Sequence, residues 1–158
     1  MDVNEEHKMI CGEIFRLLSD DFFLKEVKDK IWTALRLDED EYETFAEWWS
    51  IASKGEQKAF VHLLVGDRWD WNNACYGAVG AQCTGARCDG ELDEAYKNFG
   101  RYFARKYGVD KCLKDPINGF DYGKFGSIQE DLHRGRAVAS AVVGEWLIFD
   151  YEIEHCIS

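Results

Sequence analysis

The stretch AVASAVVGEWLIFDYEI, residues 137–153, decides the fold class that the sequence predicts. It consists of two apolar runs, 137–143 and 146–153, and Gly144 and Glu145 stand between them. A two-residue loop with glycine in its first position is typical of a type II′ β-hairpin. We therefore expect strands in a chain whose other segments mostly predict helices.

The second run would have two different faces as a strand, because successive side chains point to opposite sides of a sheet. One face carries Leu147, Phe149, Tyr151 and Ile153, and the other carries Ile148, Asp150, Glu152 and Glu154. We expect the first face to be buried and the second to turn acidic towards its end.

Upstream of the hairpin, apolar residues recur at the three- and four-residue spacing of amphipathic helices. The first 66 residues contain three such stripes, formed by Ile10, Ile14, Leu17 and Leu18, by Leu24, Val27, Ile31 and Leu35, and by Tyr42, Phe45, Trp49 and Ala52. The third stripe predicts a helix over 38–53 with Asp38 as its N-cap, and a fourth helix follows over 54–66.

The rest of the chain predicts two more helices and an irregular connector. One helix runs from Asp89 or Glu91 to Tyr107 with Gly108 after its end, and a short one lies around Ile128–Leu132. Between the lobes, the Gly- and Cys-rich residues 67–90 predict either a long loop or short strands such as Ala74–Val79.

Together these segments predict an α+β fold in one compact unit. A predominantly helical N-terminal lobe, residues 1–66, precedes the connector at 67–90, and a C-terminal lobe at 91–158 holds two helices and the β-hairpin. Trp69 and Trp71, at the junction of the lobes, are expected to be core anchors, with the wall of a ligand site as the alternative.

Composition and charge exclude several classes of protein. The 158 residues are 46% hydrophobic, which is too much for a disordered chain, and the net charge is −11. An acidic surface argues against direct binding of nucleic acid or of anionic membranes, because phosphate contacts need an excess of Lys and Arg. We see neither an apolar run of about 20 residues nor an export signal at the start, so we expect a cytoplasmic protein.

The acidity is concentrated in the first fifty residues, which hold 14 acidic and 6 basic side chains. The densest group is Asp38, Glu39, Asp40, Glu41, Glu43 and Glu47. Glu39, Glu43 and Glu47 follow one another at four-residue steps, so they share one face of the predicted helix without an interleaved basic residue. This row is either an ordinary solvated helix face or a surface that imitates the phosphate line of nucleic acid, with Asp20 and Asp21 as further contacts.

The cysteines and histidines predict neither a metal site nor a cofactor. The six cysteines stand at 11, 75, 83, 88, 112 and 156 with no C-x-x-C pair, and the four histidines form no recognised catalytic or metal-binding motif. His62 is expected to be a core residue. A cysteine-dependent enzyme or redox regulator that uses Cys75, Cys83 or Cys88 stays open as an alternative, because a reactive thiol needs no sequence motif.

One segment resembles a known family. The sequence AYKNFGRYFARKYG (95–108) is followed by a Pro-containing link and by FDYGKFGSIQEDL (120–132). This segment, about residues 92–132, resembles the carboxy-terminal part of ArdA-type antirestriction proteins, where an aromatic helix precedes a second, short helix and a final strand pair. The matching residues are Tyr102, Phe103, Gly108, Phe120, Asp121, Tyr122, Phe125, Gly126, Asp131 and Leu132.

The chain also departs from that family. It has SIQEDL where the family has a shorter RDL, and its first 66 residues predict helices where the family's first domain is largely β. The resemblance implies a DNA-mimic inhibitor from a phage or mobile element, one that has no active site and occupies the DNA-binding groove of a host restriction–modification enzyme.

These observations lead to one main functional prediction and two alternatives. The chain is expected to be a non-enzymatic inhibitor, active in the host cell cytoplasm if phage-encoded, whose acidic residues bind a basic nucleic-acid-binding protein such as a nuclease or a restriction or CRISPR complex. The alternatives are an anti-CRISPR or toxin-immunity protein, and the cysteine-dependent enzyme or redox regulator. Self-association into a homodimer is left open.

Overall fold

The structure, a computed structural model, describes residues 3–89, 92–109, 120–132 and 134–150. The helices are α1 (Val3–Leu17), α2 (Lys25–Ala34), α3 (Glu39–Ile51), α4 (Lys54–Val61), α5 (Trp71–Ala78), α6 (Leu92–Lys106) and α7 (Tyr122–Asp131). A 3-10 turn, Asp20–Phe22, follows α1, and the π-helical turn His62–Gly66 continues α4. The strands are β1 (Gln82–Arg87), β2 (Gly135–Ser140) and β3 (Glu145–Asp150). The predicted α+β fold is thus confirmed.

The sheet is antiparallel, with strand order β1-β3-β2. β2 and β3 form the predicted hairpin, but the loop between them has four residues, 141–144, and Glu145 already pairs with Ser140 in the ladder. Gly144 has a φ of +77°, which glycine adopts without steric cost, and its amide donates to the Ser140 carbonyl at 2.8 Å. The prediction of a two-residue Gly-Glu loop is therefore wrong.

The central strand β3 contributes to two apolar cores. Leu147 and Phe149 belong to the large core that α1–α5 build, whereas Ile148 packs with Phe99 and Phe103 of α6 on the opposite face. The prediction that only one face of this strand is buried is wrong where it is described, because helices cover both faces of β3 and Asp150 is only 1% exposed. The rest of that prediction, from Tyr151 to Glu154, lies outside the described residues.

The N-terminal helices agree with the predicted stripes. Ile10, Ile14, Leu17 and Leu18 of the first stripe are all buried, as are Tyr42, Phe45 and Trp49 of the third. In the second stripe Ile31 and Leu35 are buried, but Leu24, which stands before α2, is 48% exposed. Capping boxes at Asp38 and Ser53 start α3 and α4, so two orphan amides are satisfied at each start.

The connector differs from the prediction. Residues 71–78 form the helix α5 instead of a loop or strand, and the strand in this region is β1, four residues further on. Asp70 caps α5, since its side chain accepts a hydrogen bond from the Asn73 amide at 2.9 Å. Trp69 and Trp71 pack partly buried against the large core, as expected of core anchors.

The helices α6 and α7 cross at two glycines. A Cβ atom on Gly100 would lie 1.8 Å from the Tyr122 carbonyl oxygen, and one on Gly126 would lie 2.3 Å from the Tyr96 carbonyl oxygen. The helix predicted around 128–132 begins earlier, at Tyr122, because Asp121 caps it through the Lys124 amide at 3.0 Å. Within the described residues, no helix is long and apolar enough to span a membrane.

Candidate functional site

The acidic residues of the candidate site are all exposed. They are Asp38, Glu39, Asp40, Glu41, Glu43 and Glu47 on or just before α3, and Asp20 and Asp21 on the 3-10 turn. Within the described part of the chain, none of the eight forms an ion pair. Their negative charge is therefore not neutralised locally and is presented to solvent. We call the six residues from Asp38 to Glu47 the acidic α3 surface.

The helix that carries this surface is firmly held. The rings of Phe45 and Phe60 lie 5.3 Å apart between centroids, and the Trp49 indole donates to a Glu13 carboxylate oxygen at 2.6 Å. Asp38 accepts a hydrogen bond from the Glu41 amide at 2.8 Å, which fixes the first turn. A fixed backbone lowers the entropy that the carboxylates lose when a partner binds them.

The arrangement of charge along α3 is dense. At about 1.5 Å of rise per residue, Asp38 and Glu47 are about 13.5 Å apart along the axis, so the six carboxylates occur about every 2.7 Å on average. Duplex DNA carries one charge per about 1.7 Å and each of its strands one per about 3.4 Å. Counted around the whole helix, the linear charge density of the acidic α3 surface is therefore comparable to that of a nucleic acid, although Glu41 is rotated by about 160° from Glu43.

Asp20 and Asp21 belong to a different part of the molecule. The residue before their turn, Ser19, is bound to the hairpin loop, since its amide donates to the Val142 carbonyl at 2.7 Å and its hydroxyl to the Ala141 carbonyl at 2.6 Å. The turn that carries the two aspartates is thus attached to the loop between β2 and β3. The other six residues of the predicted site share α3 and its N-cap.

A shallow apolar cavity flanks the acidic α3 surface. It has a volume of about 180 Å³, and its walls include Thr44 and Trp48 of α3 together with Trp71 and Tyr76 of α5. Because residues on a helix advance about 100° each, Trp48 lies on the other flank of α3 from Glu43 and Glu47. The sequence left the wall of a ligand site open as the alternative for Trp71, but it did not indicate this cavity, because the α5 segment was expected to be a loop or strand.

Two of the described cysteines line concave features, Cys75 the cavity beside α3 and Cys83 a cleft between α6, α7 and β1. Burial raises the pKa of both Cys11 and Cys75 to about 12, so neither is a thiolate at neutral pH. Cys83 is partly buried and packs against the large core, opposite Leu147 in the β1–β3 ladder. Cys88 is half-buried just after β1, and Cys112 and Cys156 lie outside the described residues.

Two described histidines are structural. His7 is buried against Trp32, with ring centroids 4.1 Å apart, and burial lowers its pKa. His62 hydrogen bonds to the Ser140 hydroxyl through Nδ1 at 2.7 Å, and burial lowers its pKa as well, against an opposing effect of Asp67. His62 thus sits in the core as predicted. No cluster of three or more His, Cys, Asp or Glu side chains suited to a metal occurs among the described residues.

The sequence also failed to indicate a buried polar centre at the end of β3. The Asp150 carboxylate accepts hydrogen bonds from the Tyr102 hydroxyl at 2.9 Å and from the Lys106 ammonium at 2.6 Å. Burial and the Asp150 charge together raise the pKa of Tyr102. The pairing of Lys106 with Asp150 compensates the buried charge, so the centre attaches α6 to the sheet.

Comparison of the chain with protein-family models, with curated proteins and with solved structures finds no match. The resemblance of residues 92–132 to ArdA-type proteins stays a prediction.

Proposed function

We propose that the chain is a non-enzymatic inhibitor that uses the acidic α3 surface to occupy the nucleic-acid-binding groove of a basic host defence protein. The observation that carries this proposal is a helix with six exposed carboxylates that form no ion pair among the described residues. The pairs Glu39–Glu43 and Glu43–Glu47 repel each other, because like charges four residues apart cost a few tenths of a kcal/mol per pair. A basic partner would relieve that repulsion.

Charge density and rigidity support the same proposal. A groove that binds DNA contains Lys and Arg at positions set by phosphates, and a helix of comparable charge density can contact the same side chains. Complementary potentials of this kind speed association and suppress wrong partners more than they raise affinity. The resemblance to ArdA-type proteins makes a restriction–modification enzyme the first target to test. An anti-CRISPR or toxin-immunity protein would use the same surface on another target.

The experiment is inhibition of plasmid cleavage by three enzymes: a restriction–modification nuclease, a CRISPR nuclease and a basic toxin nuclease. We expect the wild-type chain to inhibit at least one of them at 50 mM NaCl and to lose that inhibition as NaCl rises to 500 mM, because salt screens exposed charges. The triple variant Glu39→Lys, Glu43→Lys, Glu47→Lys should inhibit none of them.

A matched control separates this surface from net charge. The triple variant Asp29→Lys, Asp93→Lys, Asp131→Lys also reverses three exposed carboxylates, so both variants change the net charge from −11 to −5. We expect the control to inhibit like the wild type. Equal loss in both variants would mean that only overall acidity matters, and undiminished inhibition by the α3 variant would place the interface elsewhere.

A further inference from the structure

A second concave feature lies on the face of the sheet that α6 covers. It is a cleft of about 310 Å³ between α6, α7 and the edge strand β1, and its walls include Gln82, Asn98, Arg101, Arg105, Tyr122 and Ile148. Ile148 points away from the large core that holds α3, so the cleft and the acidic α3 surface are on opposite sides of the sheet.

The charge of this cleft is opposite to that of the whole chain. Its lining includes two arginines and no carboxylate, although the protein has a net charge of −11. Arg101 forms one long ion pair, in which the Glu94 carboxylate oxygen is 4.0 Å from the guanidinium. Arg105 forms no ion pair with any residue that the structure describes. A guanidinium without a close carboxylate is available to an external anion.

The two arginines are placed to act on one anion. They stand four residues apart on α6, which puts their Cβ atoms about 5–6 Å apart on the same side of the helix. Arg101 is oriented by Asn98, whose side-chain oxygen accepts a hydrogen bond from it at 3.0 Å, and its guanidinium lies 5.6 Å from the centre of the Tyr122 ring. Planar guanidinium groups with several N–H donors match the oxygens of a phosphate.

The rest of the cleft is suited to an organic group next to that anion. Tyr122 lines the cleft with a ring, and Ile148 is an apolar floor that is 1% exposed. The amides of Gln82 and Asn98 also line it, and each donates a hydrogen bond to a backbone carbonyl of the protein. A volume of about 310 Å³ is at the lower end of the range of about 300–1,000 Å³ that small-molecule sites occupy. A bare phosphate would leave most of this space to water.

We infer that this cleft binds a small phosphate monoester, with Arg101 and Arg105 on the phosphate and the organic part between Tyr122 and Ile148. A neighbouring cavity of about 220 Å³ shares Arg101 and Tyr122 with the cleft and adds one side chain of each charge, Lys97 and Asp121. This inference does not depend on the proposed function, because none of its residues belongs to the acidic α3 surface.

The test is isothermal titration of the intact chain at 50 mM NaCl with three probes: adenosine 5′-monophosphate, adenosine and inorganic phosphate. We expect the monophosphate to bind with 1:1 stoichiometry, inorganic phosphate to bind at least tenfold more weakly, and adenosine to show no binding. Arg101→Gln and Arg105→Gln should each weaken monophosphate binding about tenfold or more, since each removes charge-assisted hydrogen bonds. Arg101→Lys and Arg105→Lys should fall between the wild type and the Gln variants, because they keep the charge but lose the planar group.

Two controls complete the design. Arg16→Gln, an exposed change at the end of α1, should leave monophosphate binding unchanged, and so should the Glu39, Glu43, Glu47 triple variant. The inference is overturned if the monophosphate does not bind at millimolar concentration, or if adenosine or inorganic phosphate binds as tightly as the monophosphate. It is also overturned if both Gln variants bind the monophosphate with wild-type affinity. Light scattering measures the oligomeric state of the wild type and the Gln variants. A wild-type dimer that dissociates in either Gln variant would mean that carboxylates of a second copy occupy the cleft, and this would also overturn the inference.

Discussion

Replacement of Gly100 by alanine should destabilise the protein strongly, although alanine is the better helix former. The new Cβ atom would lie 1.8 Å from the Tyr122 carbonyl oxygen, so α6 and α7 must separate by about 1.2 Å to reach even the 3.0 Å that real Cβ atoms respect. The obstacle is backbone, so no side-chain rotation relieves it. Overpacking typically costs about 1–3 kcal/mol, and a clash with backbone belongs at the upper end of that range. Because alanine gains about 1 kcal/mol in helix propensity over glycine, we expect a net decrease of about 2 kcal/mol in the free energy of unfolding.

Gly12→Ala is the matched control for this variant. Gly12 also lies inside a 15-residue helix, but a Cβ atom there meets nothing within 4 Å. It should gain about 0.5–1 kcal/mol, so the two variants should differ by about 3 kcal/mol in free energy of unfolding, or about 6–12 °C in Tm. Urea and thermal unfolding followed by circular dichroism measure both quantities. A Gly100→Ala protein as stable as Gly12→Ala would refute the close crossing of α6 and α7.

Two further predictions concern buried titratable groups. Burial lowers the pKa of His7 in the folded state, whereas in the unfolded chain this histidine becomes protonated below about pH 6.5. Protonation therefore favours the unfolded chain, and the free energy of unfolding should fall as the pH drops through that value. The urea midpoint should therefore decrease less between pH 7.5 and 5 in His7→Gln than in the wild type, and an identical decrease in both would contradict this assignment. Iodoacetamide should alkylate Cys75 only upon unfolding, because its pKa is raised to about 12, and mass spectrometry of the native protein showing rapid modification of Cys75 would revive the thiol-based alternative.

The local parts of the fold could be predicted from the sequence. The helix α3 combines a capping residue, acidic residues in its first turn and an apolar stripe, and these signals agree over a short range. The exposure of its carboxylates follows from the same stripe, since it fixes which face of the helix is buried. The six acidic residues of α3 are therefore together in the structure as the sequence indicated.

The features that the sequence did not predict depend on distant contacts. Asp150 is buried because α6 covers the outer face of β3 and supplies Tyr102 and Lys106, which lie more than forty residues away. The four-residue hairpin loop is likewise bound to Ser19, at the other end of the chain. The basic cleft was missed for the same reason, because Gln82, Arg101 and Ile148 meet only when β1, α6 and β3 assemble.

The central position of β3 limits how the chain can be divided into fragments or transferred in part to another protein. Alternate side chains of one six-residue strand complete two cores, Leu147 for the N-terminal helices and Ile148 for α6. A fragment that ends before β3 would leave both cores open, and a graft of residues 92–132 onto another protein would lack the surface against which Phe99 and Phe103 pack. We expect that residues 92–132 can be transferred to another protein only together with β3, which completes the core of Phe99 and Phe103.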